Sequence, residues 1–310
     1  KMQIKKKILL VGGSGDIGME ISRRIPNSIF YIFDKNFFYN DMSSNIKFLK
    51  GSLFNKKDLE KIPKKIDIVI FLAGIKGGPN SIHINNAPIY FKNNFITLHT
   101  FLEFSKNIQF KKIIFTSTEQ VYGNNYNFLK NKQHELKPIN FYGLSKLACE
   151  KILYSYHQNY KVDVDILRFP RVVSANNINL ISSIIFKLLN KKNIIINYTK
   201  SSFNFIFIDD FIDALIKCLK LKTKYRILNI FNNEIPISLL KLSKLIQSKL
   251  NTSCKIIVKD KTVIKDHNPK NLNISNSDTK NKIKWNPKFS INLMVDILIK
   301  TFKNESRPNN

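Results

Sequence analysis

Lys7-Ile8-Leu9-Leu10-Val11-Gly12-Gly13-Ser14-Gly15-Asp16-Ile17-Gly18 is the stretch whose reading decides the fold. Five residues, four of them apolar, predict a buried parallel strand. The glycines predict a tight turn, and Met19 to Ile25, stopped near Pro26, predict a helix. Strand, glycine turn and helix in that order form the context of a dinucleotide-binding loop. Glycine lets the backbone approach a pyrophosphate at a helix N-terminus. The spacing is G-x-x-G-x-x-G (Gly12, Gly15, Gly18), with Asp16 and Ile17 supplying amides inside it. A structural turn without a ligand is the alternative.

Working outward, Ser28 to Phe33 is the next strand and ends at Asp34. An acid there accepts hydrogen bonds from ribose hydroxyls and repels a 2′-phosphate, which favours NAD over NADP. Lys35 beside it leaves room for NADP. Ile46–Leu49 and Asp67–Leu72 read as the third and fourth strands, the fourth running into Ala73-Gly74 and a glycine-rich loop, Ile75 to Pro79. Pro88 to Lys106 has helical spacing at Phe91, Phe95, Leu98 and Leu102. Lys112–Phe115 is a fifth strand, followed by Thr116-Ser117-Thr118-Glu119-Gln120. Tyr142 to Tyr160 is a helix and Val164–Leu167 a sixth strand. Such alternation predicts an α/β fold with a doubly wound parallel sheet. All ten glycines lie at or before Gly143, so the two halves of the chain do different jobs.

Beyond Pro170 the pattern loosens. Helices are expected over Leu180–Leu189, from Asp209 to about Leu221, over Leu239–Leu250 capped by Ser238, and over Ile291–Phe302 capped by Ser290. Short strands are expected at Ile194–Ile196, Phe203–Ile208, Tyr225–Ile230 and Cys254–Val258, with a disordered tail at 305–310.

Composition narrows the possibilities. The 310 residues carry a formal net charge of +29, which raises nucleic-acid or anionic-surface binding. The lysines are spread along the chain rather than massed, so nucleic acid is not expected as a partner. Cys149, Cys218 and Cys254 form no CxxC, which fits a reducing compartment and no metal site. No apolar run approaches the ~20 residues of a membrane span, and the N-terminus runs directly into a strand, so a soluble cytoplasmic protein is expected.

Tyr142-Gly143-Leu144-Ser145-Lys146 carries the candidate chemistry. Residues four apart share a helix face. An ammonium held near a phenol favours the phenolate, giving a general base that works near neutral pH. Taken alone, the pair fits a plain surface helix better than a base.

In its motifs the chain resembles the extended short-chain dehydrogenase/reductases of the NAD-dependent epimerase/dehydratase family, which act on nucleotide-activated sugars. The match runs through Gly12/Gly15/Gly18, Asp34, Leu72-Ala73-Gly74, Asn94, Ser117-Thr118, Val121-Tyr122-Gly123 and Tyr142-x-x-x-Lys146. It continues with Leu167-Arg168, Phe205-Ile206-Phe207-Ile208-Asp209-Asp210 and Trp285-x-Pro287. The resemblance implies a Rossmann-type sheet with a smaller mixed α/β C-terminal substrate part. Residues 1–170 with about 203–230 would form the cofactor domain, and about 171–202 with 231–304 the substrate domain. It implies Tyr142 as base, Lys146 as the residue that lowers its pKa and binds the nicotinamide ribose, and Thr118 as hydrogen-bond partner of the reacting sugar hydroxyl. Gly12, Gly15, Asp16, Ile17, Gly18, Asp34, Leu72, Ala73 and Gly74 would hold NAD. Lys76, Asn94, Glu119 and Arg171 are the substrate candidates, and a homodimer through the 88–106 and 142–160 helices is expected.

The implied activity is NAD-dependent redox chemistry at C4 of a nucleotide sugar, as in polysaccharide biosynthesis. A 4-epimerase is the leading reading, and a net C4 dehydrogenase or 4-ketosugar reductase the alternative. The family's dehydratases carry an acidic pair after the threonine. Here it is Glu119-Gln120, and a glutamine cannot abstract a proton, which ranks 4,6-dehydration lower, beside a catalytically silent NAD sensor. Ser52 replaces the usual acid after Gly51, and Phe203 stands where an arginine commonly clamps the diphosphate, leaving Arg171 as a substitute cation.

Overall fold

The computed structural model describes residues 6–37, 43–124, 136–196, 202–220, 224–232, 234–259 and 272–305. Of the expected tail at 305–310, residues 306–310 lie outside them, and Glu305 instead ends the last helix. In the first half, β1 (Lys7–Val11) leads to α1 (Asp16–Arg24), β2 (Ile29–Asp34), β3 (Ile46–Lys50), the single turn α2 (Lys56–Leu59) and β4 (Ile68–Phe71). A continuous helical segment follows, made of α3 (Ala87–Tyr90), a π-helical stretch (Phe91–Ile96) and α4 (Thr97–Phe104). β5 (Lys112–Thr116), α5 (Phe141–Tyr160) and β6 (Asp163–Arg168) complete it.

The second half contributes β7 (Arg171–Val173), α6 (Leu180–Leu189), β8 (Ile194–Ile196), β9 (Ser202–Phe203), β10 (Phe205–Phe207), α7 (Ile208–Lys220) and β11 (Tyr225–Asn229). Then come β12 (Ile237–Ser238), α8 (Leu239–Leu250), β13 (Ile256–Val258), α9 (Ser277–Ile283) and α10 (Ile291–Glu305). Seven strands form one sheet in the order β11-β6-β5-β4-β1-β2-β3. Every pairing within it is parallel. The order reverses between β1 and β4, and a crevice opens there at the carboxyl ends of the strands.

Both faces of the sheet are covered. Ile8 and Leu10 of β1 face a core shared with Met19, Ile21, Phe211 and Leu215 of α1 and α7. Leu9 and Val11 face the opposite core, with Leu98 and Phe101 of α4 and Leu153 of α5. This two-sided burial is why the strands read as unbroken apolar runs. The first core continues into α6, α8 and α10 through Ile185, Leu242 and Met294. Trp285 is fully buried and donates its indole N–H to the Asp210 carbonyl at 3.0 Å, pinning the start of α7.

Three boundaries differ from the sequence reading. Helix α1 begins at Asp16 rather than Met19, because Gly15 is its N-cap and the glycine loop already winds into the first turn. The 88–106 helix carries a π turn centred near Asn94. The expected strand over 203–208 is two strands. β9 pairs antiparallel with β12 and β10 parallel with β7. Asn204 breaks them because its amide turns inward, donating to Glu119 Oε2 at 3.1 Å and the Leu272 carbonyl at 2.8 Å. Among the described residues, no helix is long and apolar enough to cross a membrane, and no group of side chains is arranged to hold a metal.

Candidate functional site

The glycine loop is built by close approach. Gly12 has φ +74°, and a Cβ there would lie 2.5 Å from Ala73 Cα, so the β1–α1 turn crosses the end of β4 at contact distance. At Gly18 a Cβ would come within 2.1 Å of the Gly13 carbonyl oxygen, so α1 packs directly on the loop. A Cβ at Gly15 would meet nothing within 4 Å, because Gly15 faces the cleft. The loop therefore presents backbone amides and the N-terminus of α1 to open space, a cradle for a pyrophosphate. Asp34 ends β2 beside it. Its Oδ2 accepts from the Ser14 amide at 3.0 Å and the Ser14 hydroxyl at 2.5 Å, and its Oδ1 from the Lys35 amide at 2.7 Å. Asp34 also lines a cavity of about 260 Å³ with Phe33, Leu53, Phe54, Leu72, Ala73 and Gly74, a slot for a ribose and a flat base.

A larger cleft of about 470 Å³ runs from the loop along the strand ends to Thr116–Gln120. Gly15, Asp16, Ile17 and Gly18 line one wall, and Thr118, Glu119, Gln120, Tyr142 and Lys146 the other. Lys76, Arg171, Asn177 and Ile178 also line it. Asn177 donates from Nδ2 to the Asp16 carboxylate, so a hydrogen bond ties the 174–179 loop to the start of α1.

Tyr142 and Lys146 occupy the first turns of α5. Asn140 caps that helix, accepting from the Gly143 amide at 2.7 Å, and donates to Gln120 Oε1 at 2.6 Å. One side chain thus fixes both the helix start and the facing glutamine. Lys146 is buried, donates from Nζ to the Thr116 carbonyl at 3.0 Å and lies 4.8 Å from the centre of the Phe115 ring. Thr118 lies close enough to the Tyr142 phenol to favour its charged form. Gly77 presses on the same ring: a Cβ there would lie 2.5 Å from Tyr142 Cδ1. Tyr90 flanks it with ring centres 6.1 Å apart.

The electrostatics differ from the sequence reading. Burial pushes the Tyr142 phenol up to about 12, and Glu119 adds to the rise. Thr118 and Arg171 oppose it without reversing it. Lys146 was expected to lower the phenol. Its own pKa is lowered by burial, and its ammonium is engaged with Thr116. The chain alone therefore raises the Tyr142 phenol, and a positive charge in the cleft would favour the phenolate.

Glu119 is 4 % exposed. Burial raises its carboxyl to about 6, against the stabilising pull of Arg171 and Asn204. Arg171 Nη1 lies 3.4 Å from Glu119 Oε1, and its guanidinium stacks 4.6 Å from the centre of the Phe203 ring. Asn94 is 1 % exposed. Its Oδ1 accepts from the Ile75 amide at 2.8 Å and its Nδ2 donates to the Ser145 hydroxyl at 2.9 Å. The amide is thereby engaged within the protein, stitching the 74–78 loop to α5. Lys76 is exposed at the cleft.

Several residues at the site escape the sequence reading. Glu150 accepts from Ser117 Oγ at 2.5 Å and takes Arg168 in a fork of 2.9 and 2.5 Å, anchoring the strand end from which Thr118 projects. Its signal was present, since Tyr142, Lys146 and Glu150 follow one another at four-residue spacing. Asn177 and Asn204 carry no local signal, because their partners lie 161 and 85 residues away.

Comparison with known proteins adds the following. A family model described as "NAD dependent epimerase/dehydratase family" matches residues 8–230. A dTDP-D-glucose 4,6-dehydratase of Dictyostelium discoideum is 31% identical over 255 residues, 73% of this chain and 58% of that protein. A bifunctional UDP-glucose and UDP-xylose 4-epimerase of Pisum sativum is 32% identical over 164 residues, 47% of this chain and 46% of that protein. The chain thus spans between about half and three fifths of these relatives. A UDP-glucuronic acid 4-epimerase of Bacillus cereus, solved with UDP-glucuronic acid and NAD, superposes with a TM-score of 0.82 at 22% identity, covering 96% of this chain and 99% of that one.

Proposed function

Because the chain belongs to the NAD-dependent epimerase/dehydratase family, we propose that it carries out NAD-dependent redox chemistry at C4 of a nucleotide-activated sugar, with 4-epimerisation as the net reaction. The observation that carries this reading is the single cleft shared by the open glycine cradle and by Thr118, Tyr142 and Lys146. The open face at Gly15 and the carboxylate of Asp34 fit NAD, with the adenosine in the slot lined by Asp34, Leu72, Ala73 and Gly74.

When bound, NAD supplies a hydride acceptor and a positive nicotinamide charge that favours the Tyr142 phenolate. Tyr142 takes the proton of the sugar hydroxyl as hydride leaves the same carbon, and returns it after the keto sugar has turned over. Thr118, beside the phenol in the same cleft, orients that hydroxyl. Lys146, fixed by Thr116, would bind the nicotinamide ribose. Arg171 and Lys76 are the cations available to the substrate phosphates. Asn94 has a positioning task. The alternative of net oxidation or reduction differs only in whether the keto sugar leaves before hydride returns.

Gln120 weighs against dehydration. Its Oε1 is held by Asn140, and an amide cannot remove the C5 proton that elimination requires. We further read residues 1–170 with 203–230 as the cofactor part and 171–202 with 231–304 as the substrate part. A homodimer would form through the π-interrupted segment and α5, where Ile89, Ile96, Tyr154 and Tyr160 are exposed. The three buried, unpaired cysteines support a reducing, cytoplasmic setting.

The test has two parts. Mass spectrometry of small molecules released from the denatured protein should find NAD(H); NADP(H) would contradict the role of Asp34. Tyr142→Phe should lower turnover on nucleotide sugars at least ~100-fold. Unchanged turnover would remove the proposal.

A further inference from the structure

We propose that the face built from β8, β13 and the turn between α6 and β8 docks this protein onto an anionic lipid bilayer. The inference concerns a surface away from the cleft and is independent of the redox reading. Two stretches of the chain, residues 180–208 and 235–259, carry nine lysines and no aspartate or glutamate. The fold brings them together: α6 packs on α8, and β8 pairs in parallel with β13.

One face of this small sheet is covered. Ile194 and Ile196 are buried in the core shared with Leu188, Leu242 and Ile246. Successive strand residues face opposite sides. Ile195 and Ile257, which pair in register, therefore stand together on the outer face. Ile195 is 52% exposed and Ile257 37%. The same alternation puts Lys255 and Lys259, both exposed, on either side of Ile257. Lys191 and Lys192 sit in the turn entering β8, at the Lys255 end, where the Ile194 amide donates to the Lys255 carbonyl at 3.0 Å. The Lys192 amide donates to the Lys187 carbonyl at 2.8 Å, which joins the end of α6, with the exposed Phe186, to the same corner. Among the described residues none of these five lysines is ion-paired, and Asp296 of α10 is taken by Lys249 at 2.7 Å.

Branched aliphatic side chains flanked by lysines match the chemistry of a bilayer interface. The apolar groups enter the acyl boundary, and the ammonium groups meet the lipid phosphates. The long lysine stem keeps its charge at headgroup level while the isoleucines go deeper. A nucleic acid would satisfy the lysines but leave the paired isoleucines against a charged backbone. Its bases also stack on aromatic platforms, and the centre of this face is aliphatic. Each lysine near an anionic surface contributes about 5-fold to affinity. The cleft is not part of the docking face. Leu180 at the start of α6 lines the cleft, and the face begins near the other end of that helix, about 15 Å along its axis.

The experiment sediments the full chain with vesicles of phosphatidylcholine alone and with vesicles of phosphatidylcholine and phosphatidylglycerol in equal parts. Wild type should bind the mixed vesicles and not the neutral ones, and more weakly as salt rises. Lys192→Gln/Lys255→Gln/Lys259→Gln should weaken that binding about 100-fold. Lys64→Gln/Lys65→Gln/Lys111→Gln removes the same charge from exposed lysines at the amino ends of β4 and β5, and should change binding by less than ~3-fold. Ile195→Ser/Ile257→Ser should weaken it about 10-fold. If the isoleucine variant does not fold, the two lysine variants decide. No binding to the mixed vesicles, or equal losses in the two lysine variants, overturns the proposal. So does a single-stranded DNA oligonucleotide that binds more tightly than the vesicles and depends on the same lysines but not on the isoleucines, which would assign the face to nucleic acid. None of these outcomes bears on NAD content or turnover, so the redox reading stands or falls separately.

Discussion

Gly77→Ala places a methyl group against the ring proposed to move the proton. The added Cβ would stand 2.5 Å from Tyr142 Cδ1 and 2.9 Å from Cγ, where ordinary contact begins at 3.4 Å. Something must shift by about 1 Å. The tyrosine has little room: Tyr90 flanks the ring, and Asn140 caps the helix that carries it. The loop is tethered two residues earlier, where Ile75 donates to Asn94. A misplacement of this size at the reacting group lowers turnover by about 100-fold, and overpacking lowers stability by about 1–3 kcal/mol. Gly78→Ala is the matched control, because a Cβ there meets nothing within 4 Å. Steady-state turnover, NAD content and melting temperature should be measured for both variants. The expected result is a large fall in kcat for Gly77→Ala with NAD retained, and near-wild-type behaviour for Gly78→Ala. Equal turnover in the two variants would refute the claim that this contact positions Tyr142.

Three further outcomes are expected. The Glu119 carboxyl is raised by burial to about 6 from an ordinary 4.5, so the fold holds its proton more tightly than the unfolded chain does. Its contribution is fully present below pH 4.5 and lost as pH rises through 6; the melting temperature of wild type should fall relative to Glu119→Gln across that window, by an amount equivalent to about 2 kcal/mol. Asn177→Ala removes the donor to Asp16 across the cleft, and NAD should dissociate about 10-fold faster, read by fluorescence of the reduced cofactor, since hydrogen bonds to charged groups are worth about 1.5–3 kcal/mol. Trp285→Ala deletes a fully buried side chain and its bond to the Asp210 carbonyl, which should lower unfolding stability by about 3–5 kcal/mol in a denaturant titration.

The parallel sheet was legible because its strands are short apolar runs separated by glycine turns and helical spacing. Each of the seven strands of the sheet was anticipated within one or two residues. The glycine loop was legible for the same local reason. The Tyr142–Lys146 pair was legible as a spacing, yet its electrostatics were not, since burial and the carbonyl of Thr116 come from tertiary packing. Asn204 shows the limit clearly. Read in sequence it is the second residue of an expected apolar strand, and only the approach of Glu119 and Leu272 makes it a strand break. Gly77 and Gly78 look interchangeable in the sequence, and one of them touches the tyrosine ring while the other faces open space. Arg171 was named as a cation for the substrate; its place over Phe203 and beside Glu119 depends on β7 lying next to β10, a pairing of short strands that no periodicity marks.

The central claim is reversible hydride transfer from C4 of a nucleotide sugar, with Tyr142 moving the proton. The most direct measurement follows UDP-glucose and dTDP-glucose deuterated at C4 through mass and NMR analysis of the product. The account predicts the C4 epimer with deuterium retained at C4 in wild type, and at least ~100-fold slower conversion in Tyr142→Phe. Deuterium lost to solvent, a 4-keto-6-deoxy product, or no conversion by the NAD-loaded protein would contradict it.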